Sequence, residues 1–237
     1  MKISRIPLLL ALLSLVLLGA SGIGVQLSWW AFPVGFQMLR WVVYCGVAAV
    51  VVSLICMVAP TWRRGSWTVL LLGLLIGAGS AFVPWQMAQQ AQTLPRIHDI
   101  STDLSDPPAF VAILPLRADA VNPAAYGGPE IADQQRRGYP DIVPLTLTVV
   151  PADAYARALA AVKKMGWEIV ADDAAGGRIE ATATTRWFGF KDDVVVRVLP
   201  AAGGSRIDVR SVSRVGKSDV GTNARRIRRF IAAINMP

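Results

Sequence analysis

The chain has 237 residues, 54% of them hydrophobic and only 17% charged, with a formal net charge of +8. All 16 acidic residues follow Pro84, as do 19 of the 24 basic ones, so the later part carries a net of only +3. That mild excess argues against a nucleic-acid partner, because the surplus charge lies mainly around the apolar first third.

Three apolar segments fill that first third, at 6–27, 41–59 and 67–83. At about 1.5 Å of rise per residue, each covers most or all of a hydrocarbon layer roughly 30 Å thick. Trp29, Trp30, Trp41, Trp62, Trp67 and Trp85 fall at their ends, where an amphipathic indole favours the membrane interface. Lys2 and Arg5 precede the first segment and Arg63–Arg64 join the second to the third, whereas the intervening loop carries only Arg40. The positive-inside rule then puts the N-terminus in the cytoplasm and everything beyond about Trp85 on the far side, the periplasm in a Gram-negative bacterium. The expected location is therefore the inner membrane, multi-pass, with the lipid bilayer as first partner.

A cleaved signal peptide is the rival reading of the first segment, with Leu8–Leu18 as its apolar core. The apolar stretch continues to Leu27 and no clean A-x-A site is present, so an uncleaved helix is preferred; either reading exports the same domain. Cys45 and Cys56 lie within one helix, about 16 Å apart, too far for a disulfide. The later part has no cysteine, hence no disulfide or thiolate chemistry. Gly73, Gly77 and Ala81 form a small-xxx-small face suited either to packing among the chain's own helices or to a homo-oligomer. None of the three spans contains an ionisable Asp, Glu, Lys, Arg or His, so they read as an anchor, not an ion pathway.

The domain organisation read from this pattern is a membrane anchor over 1–85, an extended segment over 86–143 and an α+β core over 144–237, the last two folding together. The middle segment is rich in Pro, Asp and Gly and shows one short helical stretch near Ile131–Arg137. From Pro144 the pattern becomes regular. Leu145–Val150 reads as a strand, Asp153–Met165 as a helix burying Tyr155, Leu159, Val162 and Met165, and Trp167–Ala171 as a strand. Strands follow at Arg178–Thr184, Asp193–Leu199 and Arg206–Ser213, with Gly176–Gly177 and Gly203–Gly204 at turns. Alternation gives one apolar face (Ile179, Ala181, Ala183, Val194, Val196, Val198, Ile207, Val209). The opposite face (Arg178, Glu180, Thr182, Asp193, Arg197, Arg206, Asp208, Arg210) is expected to be wet. The final helix, Asp219–Asn235, covers the apolar face through Val220, Ala224, Ile227, Ile231 and Ile234. The fold class is α+β: an antiparallel sheet covered on one face by helices.

Four phrases carry a family resemblance: Ile97–Asp103 followed by Pro107–Phe110; Gln135–Ile142; Trp187–Val194; and Arg210–Arg214 running on through Asp219, Gly221, Asn223 and Arg226. Over about residues 95–235 the chain resembles the bacterial and plastid domain-of-unknown-function family DUF1499. The resemblance brings a family without an activity or assigned catalytic residues.

His98, the only histidine, stands beside Asp99 just past the membrane part, near Asp103 and Asp106, at a spacing that matches no calcium loop. Asp192–Asp193 follow an aromatic run and suit either a cation or sugar, or the end of a hairpin. Arg210, Arg214, Lys217 and the helix arginines 225, 226, 228 and 229 form the densest basic group, with Asp219, Asn223 and a helix N-terminus as further binding groups. Anionic lipid headgroups or phosphorylated envelope intermediates are the ligands such a group would take near a membrane. The plainer alternative is a solvated helix face with Arg214 paired to Asp219. Neither zinc spacing, P-loop, dinucleotide fingerprint nor nucleophile elbow occurs, so no cofactor, metal or catalytic residue is assigned. The expected function is a membrane-anchored protein whose external domain binds or scaffolds an envelope lipid, polymer or protein; the alternative is an enzyme on an envelope substrate using Asp192, Asp193 or His98.

Overall fold

The computed structural model describes residues 3–63 and 66–235, so Lys2 and Arg64, which the charge rule used, lie outside the described residues. The described chain divides into two compact units, the first running through Gln92 and including Arg186–Gly189, the second comprising Thr93–Thr185 and the residues from Phe190 onward.

In the first unit, three helices are long and apolar enough to cross a membrane. They are α1 (Ile6–Gln26), α2 (Phe32–Val58) and α4 (Trp67–Thr93); the short α3 (Pro60–Arg63) lies between the last two. Two of them exceed the apolar segments. Helix α2 starts nine residues early because Pro33 suits a first turn that needs no N–H donors. Helix α4 runs ten residues past Val83 because its polar tail, rich in Gln and Ala, keeps a high helix propensity. The small residues serve the chain's own packing: a Cβ on Gly77 would meet the Gly46 carbonyl at 2.8 Å, and one on Gly73 would meet Pro7 at 2.9 Å. Ser14 Oγ donates to the Val42 carbonyl (2.8 Å) and lies 2.7 Å from Ser80 Oγ, tying all three helices.

The second unit is α+β. Its elements are β1 (Asp99–Ser101), α5 (Pro129–Gly138), β2 (Leu145–Leu147), α6 (Pro151–Lys164), β3 (Glu168–Asp173), β4 (Arg178–Thr184), β5 (Lys191–Ala201), β6 (Gly204–Ser213) and α7 (Thr222–Asn235). All pairings are antiparallel, in the order β1-β6-β5-β4-β3, with β2 sharing the outer edge of β6 with β1. Gly177 takes φ +64° in the β3–β4 turn, where a side chain would also strike the Val198 carbonyl. Helices α6 and α7 cover the apolar face. Ala158, Val162, Ala224 and Ile227 pack on Ile179, Ala181, Val194 and Val209, and Phe230 stacks on Trp167 at 5.6 Å. Phe230 is fully buried and takes the central core position on α7.

The opposite face is not wet. Glu180, Asp193 and Asp208 are completely buried, and Thr182 and Arg210 nearly so. The chain between Asp103 and Tyr126, irregular apart from one 3-10 turn at Leu114–Arg117, lies over them, with Phe110 and Ile113 packed on Val195 and Val212 as a second small core. Alternation reported which residues share a face, but not what covers it: the cover has no periodicity of its own, and its attachment is polar.

Candidate functional site

The polar face of the sheet holds a buried layer of opposite charges. Asp193, on β5, is its centre. Its carboxylate accepts from Arg214 Nε (2.9 Å) and Nη2 (2.8 Å) and from Thr182 Oγ1 (2.9 Å). Arg117 Nη1 lies 3.2 Å away as an ion pair, with side chains 3% and 0% exposed. The other end of each arginine grips the cover: Arg117 Nη2 donates to the Asn122 carbonyl (2.9 Å), and Arg214 Nη1 to that of Leu116 (2.7 Å). Burial pulls the proton affinity of Arg117 down, and Asp193 opposes that pull.

Glu180 on β4 works in the same way. It accepts the backbone N–H groups of Val111 (3.0 Å), Ala112 (3.1 Å) and Ile113 (2.9 Å), and pairs with Arg178 Nε at 3.1 Å. A carboxylate bonded to three backbone donors satisfies a turn whose N–H groups would otherwise be orphaned under the cover. Arg210 makes a bidentate pair with Asp99 (2.9 and 2.7 Å) and donates to the carbonyls of Pro108 (3.2 Å) and Ala124 (2.8 Å). Its guanidinium lies over the rings of Phe110 (5.2 Å) and Tyr126 (5.4 Å). Towards the β5–β6 turn, Asp103 receives Arg206 (2.6 Å) and Arg197 (3.2 Å), and both arginines also bind Asp208. Burial pushes the Asp103 carboxyl up, but the N–H groups of Asp106 and Ser105 and the two arginines outweigh it and hold it below the usual carboxylate value.

A second cluster sits on the helix side, where Asp192 faces because it neighbours Asp193 on an alternating strand. Arg226 of α7 donates to Asp192 Oδ2 at 2.5 Å and to Ser211 Oγ at 3.0 Å, and also to Asn223 Oδ1. Asn223 Nδ2 reaches the His98 carbonyl (2.9 Å) and Ser213 Oγ (3.0 Å). Asp219 accepts the N–H groups of Gly221 (2.9 Å) and Asn223 (2.6 Å), filling the start of α7 with the chain's own carboxylate. Burial nevertheless pushes the Asp219 carboxyl above its ordinary value, against those two bonds.

The residues singled out in the sequence are thus divided between two faces. Asp193, Arg210 and Arg214 belong to the cover side; Asp192, Asp219, Asn223 and Arg226 belong to the α7 side. The basic group does not converge, because β6 sends Arg210 to the face opposite α7. Arg214 pairs with Asp193, not Asp219. His98 contributes its backbone carbonyl, which also accepts from Ser213 N at 3.0 Å; among the described residues its half-buried imidazole has no hydrogen-bond partner. Arg228 binds Asp141 on the surface at 2.6 and 2.7 Å. The spacing signals missed Arg117, Glu180 and Asp103 as partners, because each acts on a cover whose position is not written in local periodicity. Among the described residues, no group of three or more His, Cys, Asp or Glu is arranged to hold a metal ion. The surface carries open clefts, one of about 510 Å³ between Thr102–Ser105, Tyr139–Pro144 and Arg206, another of about 460 Å³ between α6 and α7, lined by Arg157 and Lys164.

The family model described as "Protein of unknown function (DUF1499)" matches residues 99–234, from β1 to the last turn of α7. The chain belongs to the DUF1499 family. The matched span begins at the aspartate that pairs with Arg210 and takes in both charge clusters, so the DUF1499 unit is the sheet together with its cover. No curated protein and no solved structure matches the chain significantly.

Proposed function

We propose that this DUF1499 protein is a multi-pass protein of the bacterial inner membrane, with its N-terminus in the cytoplasm and its α+β unit on the periplasmic side, where that unit binds or scaffolds an envelope lipid, polymer or protein. Arg5 and Arg63 stand at the ends of the membrane-capable helices assigned to the cytoplasmic side; toward the other side the basic residue is Arg40, which lies within the first turns of α2 because that helix starts earlier than the apolar segment, and every acidic residue follows the apolar part of the third helix.

The observation that carries the binding or scaffolding role is the consumption of the charged residues by the fold itself. Asp192 and Asp193 point to opposite faces, and each is already neutralised by arginine. Their chemistry is spent on fastening the cover and α7 to the sheet, which makes a cysteine-free domain rigid and leaves its outer surface for partners. A reporter pair fused after Pro237 tests the placement. Alkaline phosphatase active there, with a cytoplasmic fluorescent reporter dark, is the expected result; the reverse pattern overturns it.

A further inference from the structure

We infer that the loop Val111–Val121 is an interfacial anchor, whose apolar side chains rest in the headgroup region of the same bilayer that holds the helices. The inference rests on the bilayer-anchored reading above and names a second lipid contact within the DUF1499 unit.

Seven large hydrophobic side chains of the second unit are exposed among the described residues, and four of them lie in this one loop: Val111 (50%), Leu114 (43%), Leu116 (56%) and Val121 (79%). A water-facing loop gains nothing from such a concentration. Nor is the loop a floppy excursion. Glu180 holds the amides of residues 111–113, Arg214 the carbonyl of Leu116, and Arg117 the carbonyl of Asn122, while Asn122 Nδ2 donates to the carbonyls of Ser213 and Gly216 (both 2.9 Å). The buried charge layer thus presents the apolar side chains outward in a fixed arrangement, which lowers the ordering cost of binding.

The occupant follows from where the loop stands within its own unit. Its tip lies at the end of the sheet where Lys191, Ser213 and Arg214 meet: Arg214 N donates to the Lys191 carbonyl, and Ser213 N to that of His98. That is also the end at which the chain enters the unit, since β1 begins at Asp99 opposite Val212. Only Leu94–His98 separate α4 from β1. Helix α4 has 27 residues, about 40 Å of length against roughly 30 Å of hydrocarbon, so its polar tail ends near the outer edge of the headgroups. Five linking residues span at most about 17 Å. The start of β1 is therefore joined to the end of α4 by no more than that length of chain. Exposed Lys191 and Lys217 flank the loop, against Asp119 within it, a balance that suits anionic headgroups around an apolar tip.

The test uses the full chain with Cys45→Ala and Cys56→Ala, reconstituted in vesicles of phosphatidylcholine and phosphatidylglycerol. A nitroxide is attached at Leu116→Cys or Val121→Cys. Val150→Cys serves as control: it is also exposed, but follows β2 beside the opposite end of the sheet, where Leu147 pairs with Ser205. Collisions with oxygen and with a water-soluble nickel chelate are then compared. The loop labels are expected to be several-fold less accessible to nickel than the control and correspondingly more accessible to oxygen. Nickel accessibility equal to the control overturns the inference, and so does shielding from both relaxants, which would mean a protein surface covers the loop. Because vesicles have no compartment identity, this result is independent of the reporter test of placement.

Discussion

Asp193→Asn removes the charge at the centre of the cover layer while keeping its shape. The native carboxylate faces two guanidiniums, Arg214 at 2.8–2.9 Å and Arg117 at 3.2 Å, and takes a further bond from Thr182. Neutralising it leaves Arg117 charged with its side chain only 3% exposed, and an uncompensated buried charge costs about 3–5 kcal/mol. Because Arg117 and Arg214 hold the loop at Asn122 and Leu116, the cost falls first on opening of the cover, not on the apolar core behind the sheet. Hydrogen exchange on the full chain reads this directly. Amides of residues 111–122 should exchange roughly 10² to 10⁴ times faster in the variant at 1.4 kcal/mol per tenfold, while those of α6 change far less. Removing all three charges, as Asp193→Leu with Arg117→Met and Arg214→Met, should recover part of the protection, because apolar side chains leave no stranded charge although the bonds to the Asn122 and Leu116 carbonyls are lost. A change below about fivefold, under roughly 1 kcal/mol, would refute the claim that this pair fastens the cover.

Three further outcomes follow from individual contacts. Asp103 is held below its usual carboxylate value, so its contribution is fully present above pH 3.8 and is lost as pH falls through the lower native value. The stability difference between native protein and Asp103→Asn, measured by denaturant titration, should be constant near neutrality and vanish in strong acid; an unchanged difference there would count against the Arg197–Asp103–Arg206 bridge. Tyr139 is buried, its hydroxyl has no hydrogen-bond partner among the described residues, and its proton affinity is pushed up to about 12, mainly by burial. Tyr139→Phe should therefore be neutral or stabilising, by up to about 1–3 kcal/mol, and a clear drop in melting temperature would show that the hydroxyl has a partner. Gly77→Val should disrupt the helix bundle, since even a Cβ would stand 2.8 Å from the Gly46 carbonyl and 2.9 Å from Ala49 Cβ; wild-type protease resistance in detergent would contradict that contact.

The sequence and the structure agree where hydrophobic periodicity does the positioning. Arg178–Thr184 is a strand over its expected residues, and α7 buries Ala224, Ile227 and Ile234 along the expected stripe, with Phe230 as an addition. Ile97–Asp103 shows why other parts were illegible. It contains a three-residue strand, too short for alternation to register, held at Ser101 by Gln135 and at Asp99 by Arg210, with His98 beside it held by Asn223, all from distant parts of the chain. The polar face of the sheet misled for the same reason. Arg178, Glu180, Asp193, Arg197, Asp208 and Arg210 look solvated one strand at a time, yet the two signs are nearly balanced, the composition that permits burial once a cover supplies the remaining bonds. The carboxylate pair Asp192–Asp193 resembled a site because the residues are adjacent in sequence, while a strand necessarily sends them to opposite faces.

The account depends most on the α+β unit lying across the membrane from Arg5 and Arg63. In cells expressing the chain with Cys45→Ala, Cys56→Ala and Lys217→Cys, a membrane-impermeant maleimide applied to intact spheroplasts should label position 217, which is exposed beside the apolar loop. Labelling only after the spheroplasts are lysed would contradict it.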